Sequence, residues 1–156
     1  MRQARRLVIW ARLALVGVSF FGAIDMAHAD GLLDAYRWQN RLIVVFADQD
    51  SKKEMEQQHH MLLTSRRGLL DRHLVIVEVD QGLVTFDGLI SQSVGGNELR
   101  DVLNVSRSGF SVVLIGKDGG VKMRSTEPTT SASLFALIDA MPMRQREMKE
   151  QQTDRR

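Results

Sequence analysis

The sequence predicts an α/β domain with a mixed central sheet and helices on its faces. Residues 41–46 and 74–79 are short apolar runs, typical of strands buried on both faces, and a helical pattern follows the first of them. Residues 110–125 form an apolar run, a polar turn and an alternating run, which is the pattern of a β-hairpin. Strands joined by helices pair in parallel, so the sheet is expected to contain both parallel and antiparallel pairs.

The hairpin at residues 110–125 is the element around which the other predictions are organised. Gly119, within an Asp-Gly-Gly turn, supplies the positive φ that a short hairpin turn needs. The run before the turn is continuously apolar, which predicts a central strand. From Val121 to Arg124 apolar and basic residues alternate, which predicts a strand nearer an edge of the sheet.

The helix after the first strand is predicted to begin at a capping box. Ser51 is the expected N-cap, and Glu54 lies three residues later, where its side chain can reach back to the N-cap amide. Apolar residues then recur at helical spacing. The side chains expected on its buried face are Met55, His59, Leu62 and Leu63, followed by Leu69 and Leu70 on a second segment beyond Gly68.

Three other segments are predicted to be helical: residues 31–38, a short helix from Asn97, and a helix capped within residues 129–131. Their expected core-facing side chains are Leu32, Leu33, Tyr36, Trp38, Leu99, Val102, Leu103, Leu134, Leu137, Ile138 and Met141. Pro142 is expected to stop or kink the last helix, and the charged residues after it to fray into solvent. The long polar connection at 80–96 has room for a small hairpin at 85–90.

The N-terminal segment has the organisation of a secretory signal peptide. Basic residues precede an apolar run at 13–24, and Ala27-His28-Ala29 is a small-x-small cleavage site before Asp30. The apolar run is about 12 residues, shorter than the roughly 20 that span a bilayer, so a cleaved signal is favoured over an uncleaved anchor. We therefore predict a signal peptide at 1–29, a domain at 30–148 and a polar tail at 149–156.

Export leaves a nearly neutral protein. Removing residues 1–29 removes four arginines and one aspartate, which takes the net charge from +2 to −1. This balance gives no electrostatic case for nucleic acid or anionic lipid, and no stable membrane anchor is expected after cleavage. Arg5-Arg6 also fits a loose twin-arginine pattern, so the general secretory and twin-arginine routes both stay open. The expected location is periplasmic or secreted.

The predicted order is strand, helix, strand, helix, strand, strand, helix, which is that of a thioredoxin-like fold. Residues 116–122 (Gly-Lys-Asp-Gly-Gly-Val-Lys), residues 138–144 (Ile-Asp-Ala-Met-Pro-Met-Arg) and the strand at 41–46 resemble a secreted domain-of-unknown-function family. It is the DUDES domain, shared with vertebrate matrix proteins such as equarin and the sushi-repeat-containing proteins. The resemblance implies a thioredoxin-like domain outside the cytoplasm, and it implies no catalytic residue.

The reactive dithiol of a thioredoxin-like fold follows the first central strand, where a helix N-terminus lowers thiol pKa values. The two cysteines would fall near Asp50 and Lys53, yet the chain contains no cysteine. The proline that thioredoxins place before the hairpin is also absent from residues 107–110. We expect neither thiol redox chemistry nor a cofactor.

Two hypotheses about function remain. In the first, the protein is a non-catalytic module that binds a protein or small ligand. In the second, it is a non-thiol enzyme that uses the corner at Asp48 and Asp50 together with Arg41, Arg107 or the 80–96 loop. The candidate ligand-binding residues are Asp48, Gln49, Asp50, Arg107 and Ser108. His59 and His60 are adjacent on a helix and point about 100° apart, which is poor geometry for a shared metal.

We predict that the exported protein begins at Asp30, because the peptide bond after Ala29 carries the cleavage signature. The intact mass of protein recovered from outside the cytoplasm should equal that of residues 30–156. An Ala29→Leu variant should accumulate as the uncleaved precursor. Recovery of exported wild-type protein that retains residues 1–29 would contradict the prediction.

Overall fold

A six-stranded mixed sheet lies at the centre of the structure, a computed structural model that describes residues 29–91 and 94–154. Its strands are β1 (Arg41–Ala47), β2 (Leu74–Asp80), β3 (Leu83–Phe86), β4 (Leu89–Ile90), β5 (Ser111–Ile115) and β6 (Val121–Ser125). Their order is β4-β3-β2-β1-β5-β6. Only β1 and β2 pair in parallel among these strands, and the other neighbours are antiparallel. The predicted mixed sheet is confirmed.

The described chain has six helices, and the first five in chain order pack on the two faces of this sheet. They are α1 (Ala29–Tyr36), α2 (Lys52–Thr64), α3 (Arg66–Asp71), α4 (Gly96–Val102), α5 (Ser131–Asp139) and α6 (Pro142–Asp154). Apolar side chains of α2, α3 and α5 pack on one face, and those of α1 and α4 pack on the other. No helix in the described ranges combines the length and apolarity needed to cross a bilayer. The predicted signal peptide lies outside the described residues except for Ala29.

Strand β1 is buried along its whole length because the sheet is covered on both faces. Successive side chains of a strand point to opposite faces. Ile43 and Val45 accordingly join the core under α2, α3 and α5, whereas Leu42 and Val44 join the core under α1 and α4. This two-sided burial explains why the sequence of β1 is an unbroken apolar run.

The predicted hairpin is present as β5 and β6. Strand β5 lies in the interior of the sheet beside β1, and β6 forms an edge, as expected. Gly119 has φ of 80°, and its N–H donates to the carbonyl of Gly116 (2.9 Å). The smaller hairpin expected at 85–90 is also present: β3 and β4 extend the sheet beyond β2 through a turn at Asp87 and Gly88.

Several side chains expected in the core are exposed: Trp38, Leu63, Leu70, Val102 and Leu137. The helical residues among them lie at the margins of their apolar stripes. A helix that packs on a sheet buries only the central part of its apolar stripe. Leu137, for example, is exposed beside the fully buried Leu134 and Ile138. The side chain of Leu32 lies outside what the structure describes.

The expected capping box at α2 is wrong. Ser51 occupies the N-cap position, but its side chain makes no cap hydrogen bond. Its hydroxyl is instead bonded to Asp48, three residues earlier, donating to Oδ1 at 2.6 Å and accepting from the backbone N–H at 3.0 Å. The hydroxyl is thus used by the loop that precedes the helix.

The expectation that the chain frays after Pro142 is also wrong, because residues 142–154 form α6. Arg144 is buried, donating to the carbonyl of Asp71 (2.8 Å) and to the carboxylate of Asp139 (3.2 Å). Glu147 accepts two hydrogen bonds from the buried Arg41 guanidinium (3.1 and 3.2 Å). Charged residues hold the helix against the domain because each has a partner there. The proposed boundary at residue 148 stays a prediction.

Substitution of Gly119 by valine should destabilise the fold by about 1–3 kcal/mol, because a β-branched residue is strained at positive φ. A Cβ atom at this position would also lie 2.8 Å from Arg37 Nε. Gly95→Val is the matched control, since Gly95 has φ of −87° and open space around it. Thermal melts followed by circular dichroism should show a lower Tm for Gly119→Val than for Gly95→Val. Equal Tm values would refute the prediction.

Candidate functional site

Two loops meet at the edge of the sheet where β1 ends. The first loop, residues 48–51, links β1 to α2, and the second, residues 106–110, leads into β5. The backbone N–H of Gly109 donates to Asp48 Oδ2 at 2.6 Å and so ties the loops together. We call residues 48–51 and 106–110 the loop corner. It is the place where the sequence analysis put the missing dithiol.

Asp48 holds the loop corner together through both of its carboxylate oxygens. Besides the bond from Gly109 to Oδ2, Oδ1 accepts from the Ser51 hydroxyl (2.6 Å), the Ser51 N–H (3.0 Å) and the Asp50 N–H (3.2 Å). The Gly109 amide, followed by the Ser51 hydroxyl, lowers the pKa of Asp48 to about 2 against the opposing effect of burial. Asp48 is therefore ionised at neutral pH and has no proton to donate.

The other four predicted site residues lie on the exposed rim of the loop corner. Gln49 and Asp50 are exposed on the first loop, and Arg107 and Ser108 are exposed on the second. Arg107 is bonded to the carboxylate of Asp101 at 2.6 Å. The structure thus brings the two predicted loops together, with Asp48 turned inward and the other four side chains on the surface.

Arg100 is a member of this site that the sequence analysis missed. It lies on α4 and is only 4% exposed, with its guanidinium 4.9 Å from the ring centre of Phe46. It donates to the carbonyl of Ala47 (3.2 Å) and to that of Ser106, so it bridges the ends of both loops. Burial lowers the pKa of Arg100, and the charge of Asp48 opposes that shift.

A sequence signal for Arg100 did exist. Its spacing of three residues from Leu103 places it on the buried face of α4, beside Leu99. A cation on an apolar helical face is rarely left unpaired, since burial of a lone charge is costly. What the sequence lacked was the identity of its partners, which are the backbone carbonyls of Ala47 at the end of β1 and of Ser106 in the loop after α4.

His59, His60 and His73, the histidines that the structure describes, do not form a metal centre. His59 is half-buried, as expected, and its Nδ1 lies 2.5 Å from Glu78 Oε1. His60, its neighbour, is exposed, and His73 contacts Lys117 instead. Within residues 29–91 and 94–154, no cluster of three or more His, Cys, Asp or Glu residues could hold a metal ion.

A family model described as "Domain of unknown function (DUF4174)" matches residues 32–147, well over half of the chain. The chain belongs to this family. The first of two relatives confirms the resemblance to the domain of sushi-repeat-containing proteins. Sushi repeat-containing protein SRPX2 of Homo sapiens is 32% identical over 136 residues, which cover 85% of this chain and 29% of that protein. Coiled-coil domain-containing protein 80 of Danio rerio is 30% identical over 141 residues, covering 80% and 16% respectively.

The chain spans less than a third of the length of these curated relatives. A solved structure, "Crystal Structure of Plasmodium vivax 2-Cys Peroxiredoxin, Reduced", matches with a TM-score of 0.54 at 15% identity. The match covers 73% of this chain and 84% of that one. It confirms the thioredoxin-like fold, here in a chain without cysteine.

The charge of Asp48 should make the stability of the fold depend on pH. Folding lowers the pKa of this carboxyl from 3.8 to about 2, so the charged form stabilises the fold above about pH 4. That contribution is lost as the pH falls through about 2. The Tm of the wild type should therefore fall more steeply over this range than the Tm of Asp48→Asn.

The matched control for this measurement is Asp50→Asn, a change to an exposed carboxylate on the same loop. Melting curves recorded by circular dichroism in steps from neutral pH to acid would compare the three proteins. Parallel pH profiles for the wild type and Asp48→Asn would show that Asp48 does not act as described.

Proposed function

We propose that this family member is an exported, non-catalytic binding module, and that the rim of the loop corner recognises another protein. The observation that carries the proposal is the set of internal hydrogen bonds that Asp48 accepts. In a chain without cysteine, Asp48 is the one predicted site residue turned into the loop corner, and internal donors occupy both of its carboxylate oxygens. A ligand would therefore contact the exposed rim of the loop corner.

The rim is well suited to recognition because it is exposed on a fixed frame. Gln49, Asp50, Arg107 and Ser108 present amide, carboxylate, guanidinium and hydroxyl groups to solvent. The loops that carry them are tied to the sheet by Asp48 and Arg100. Loops held by a rigid sheet lose little conformational entropy on binding, which favours affinity.

A neighbouring cleft supports a polypeptide as the ligand. Its volume is about 460 Å³, and residues 104–106, 111–113 and 124–127 line it. Ser106 belongs to the loop corner, and Arg124 and Ser125 belong to the edge strand β6. An edge strand has a row of backbone groups with which an extended chain can pair. A segment of a partner protein could therefore follow the cleft from β6 to the rim.

The export part of the proposal is supported by the basic and apolar N-terminal segment and by its cleavage site. A domain with no cysteine keeps the same covalent structure in oxidising and reducing compartments. We accordingly place the protein in the periplasm or outside the cell.

The alternative, a non-thiol enzyme acting through Asp48 and Asp50, has weaker support. A general base works best when its pKa lies near the working pH, whereas the pKa of Asp48 is lowered to about 2. Asp50 lies on the exposed surface, outside any enclosure that would exclude water from a reaction.

The proposal can be tested by site-specific photocrosslinking of the full chain in the cells that make it. A photoreactive amino acid at Gln49 or at Ser108 should capture a discrete partner, whereas one at Gln57, exposed on the outer side of α2, should not. Arg107→Ala should weaken the capture, and Arg66→Ala, an exposed arginine on α3, should leave it unchanged. Capture of the same species from Gln57, or none from either rim position, would refute the proposal.

A further inference from the structure

A second pocket lies at the opposite edge of the sheet, where β1 begins. Its volume is about 340 Å³, and it lies between the turn joining β5 to β6 and the start of α6. Four cationic side chains line it: Arg41, Lys117, Lys122 and Arg146. We call these four residues, with Asp118 and residues 141–143, the basic pocket. It shares no residue with the loop corner or with the cleft beside it.

The charge of the basic pocket is positive even when its internal pairs are counted. Asp118 is the acidic residue among those that line it, and it pairs with Lys122 at 2.6 Å. Glu147 contacts Arg41 and Lys117, at 3.1 and 2.9 Å. Four cations against these two carboxylates leave two positive charges in excess. An excess of this kind attracts an anion into a recessed site.

Arg41 provides the strongest indication of a ligand. It is 1% exposed, and both terminal nitrogens of its guanidinium are occupied, by the Glu147 carboxylate and the Arg72 carbonyl. Its Nε is buried and has no hydrogen-bond partner. A buried donor left unsatisfied costs free energy, so such a group usually has a partner in the functional state. An anion in the basic pocket would be such a partner.

Lys117 is a second buried cation, with its side chain 8% exposed. Its ammonium donates to Glu147 Oε1 (2.9 Å) and lies 2.7 Å from His73 Nδ1. An ammonium has three donors, so one further donor is available to a ligand after these two contacts. Glu147 pairs with both Lys117 and Arg41, so its single negative charge does not balance the two positive charges.

The first turn of α6 completes the pocket. Met141, Pro142 and Met143 line it, and the first helical hydrogen bond runs from the Gln145 N–H to the Met141 carbonyl (3.0 Å). Pro142 has no N–H and the Met141 N–H donates to the Ile138 carbonyl, so the leading amide that the pocket-lining residues offer is that of Met143. The helix dipole favours an anion there. Helix α6 has 13 residues, long enough for this dipole to develop.

We propose that the basic pocket is a binding site for a compact oxyanion, a phosphate or sulfate group, either free or as an ester on a larger molecule. The anion would accept hydrogen bonds from the Arg41 and Lys117 side chains on the inner wall. Lys122 and Arg146, which are more exposed, would close around it from the rim. Multiple cationic donors converging on one recess match the several acceptor oxygens of such a group.

Trp38 gives the proposal a local optical readout. It is 65% exposed and lies in a groove with Met143 and Arg146, two residues of the basic pocket. Its backbone N–H donates to the carbonyl of Lys117 at 2.6 Å. The chain has two tryptophans, Trp10 and Trp38, and Trp10 lies in the predicted signal peptide. The tryptophan fluorescence of the processed protein therefore reports on Trp38.

Calorimetric titration of the processed protein with inorganic phosphate, inorganic sulfate and glycerol 3-phosphate tests the proposal. We expect saturable binding of at least one of these anions, with a matching change in Trp38 fluorescence and no response to chloride. Lys122→Gln and Arg146→Gln should each weaken binding by roughly five- to tenfold, because each removes a charged contact. Tighter binding of glycerol 3-phosphate than of phosphate would identify an ester as the ligand, and the reverse order a free ion.

The matched control is Lys149→Gln, an exposed change on the same helix that should leave the affinity unchanged. Asp118→Asn should have the opposite effect and tighten binding, since it removes a negative charge from the pocket and frees Lys122. A gain of affinity cannot result from partial unfolding, which separates a binding role from a structural one. Absence of saturable binding, or equal affinities across these variants, would overturn the proposal.

Discussion

The two-sided burial of β1 is the constraint on which the rest of the structure depends. All seven of its residues are buried, so the chain must return to polar groups as soon as the strand ends. At one end lies Arg41, and just beyond the other lies Asp48. Neither charge can be left without partners so close to the core, because the desolvation cost would exceed what packing contributes. Both ends have therefore become places where distant segments converge.

At the Asp48 end, the partners are backbone amides of two loops. The carboxylate lies in the loop where a thioredoxin-like enzyme carries its reactive thiols, and its hydrogen bonds hold the two loops together. The buried Arg100 supports the same loops from below by bonding to their carbonyls. These hydrogen bonds fix the two loops to each other, and the proposed role in recognition rests on this arrangement.

At the Arg41 end, the partner is a helix. Glu147 of α6 accepts from Arg41 and Lys117, and Arg144 reaches the carboxylates of Asp71 and Asp139. Burial opposes ionisation of Glu147, but the hydrogen bonds from Arg41 and Lys117 outweigh it and lower its pKa. These ion pairs explain why a charged C-terminal segment is an ordered helix. They also leave a surplus of positive charge beside its first turn, where the basic pocket lies.

The sequence by itself determined the fold, because strand burial, the Asp-Gly-Gly turn and the order of elements are properties of neighbouring residues. It also predicted one ligand-binding site from Asp48, Gln49, Asp50, Arg107 and Ser108, and the fold brings the two loops that carry them to the same edge. Only the tertiary structure decided which polar side chains turn inward. Arg72 and Glu147, the partners of Arg41, lie 31 and 106 residues away along the chain, and Ala47, a partner of Arg100, lies 53 residues away. Local patterns carry no trace of such partners. Tertiary contacts of this range also formed helix α6, whose residues, taken alone, predicted a frayed tail.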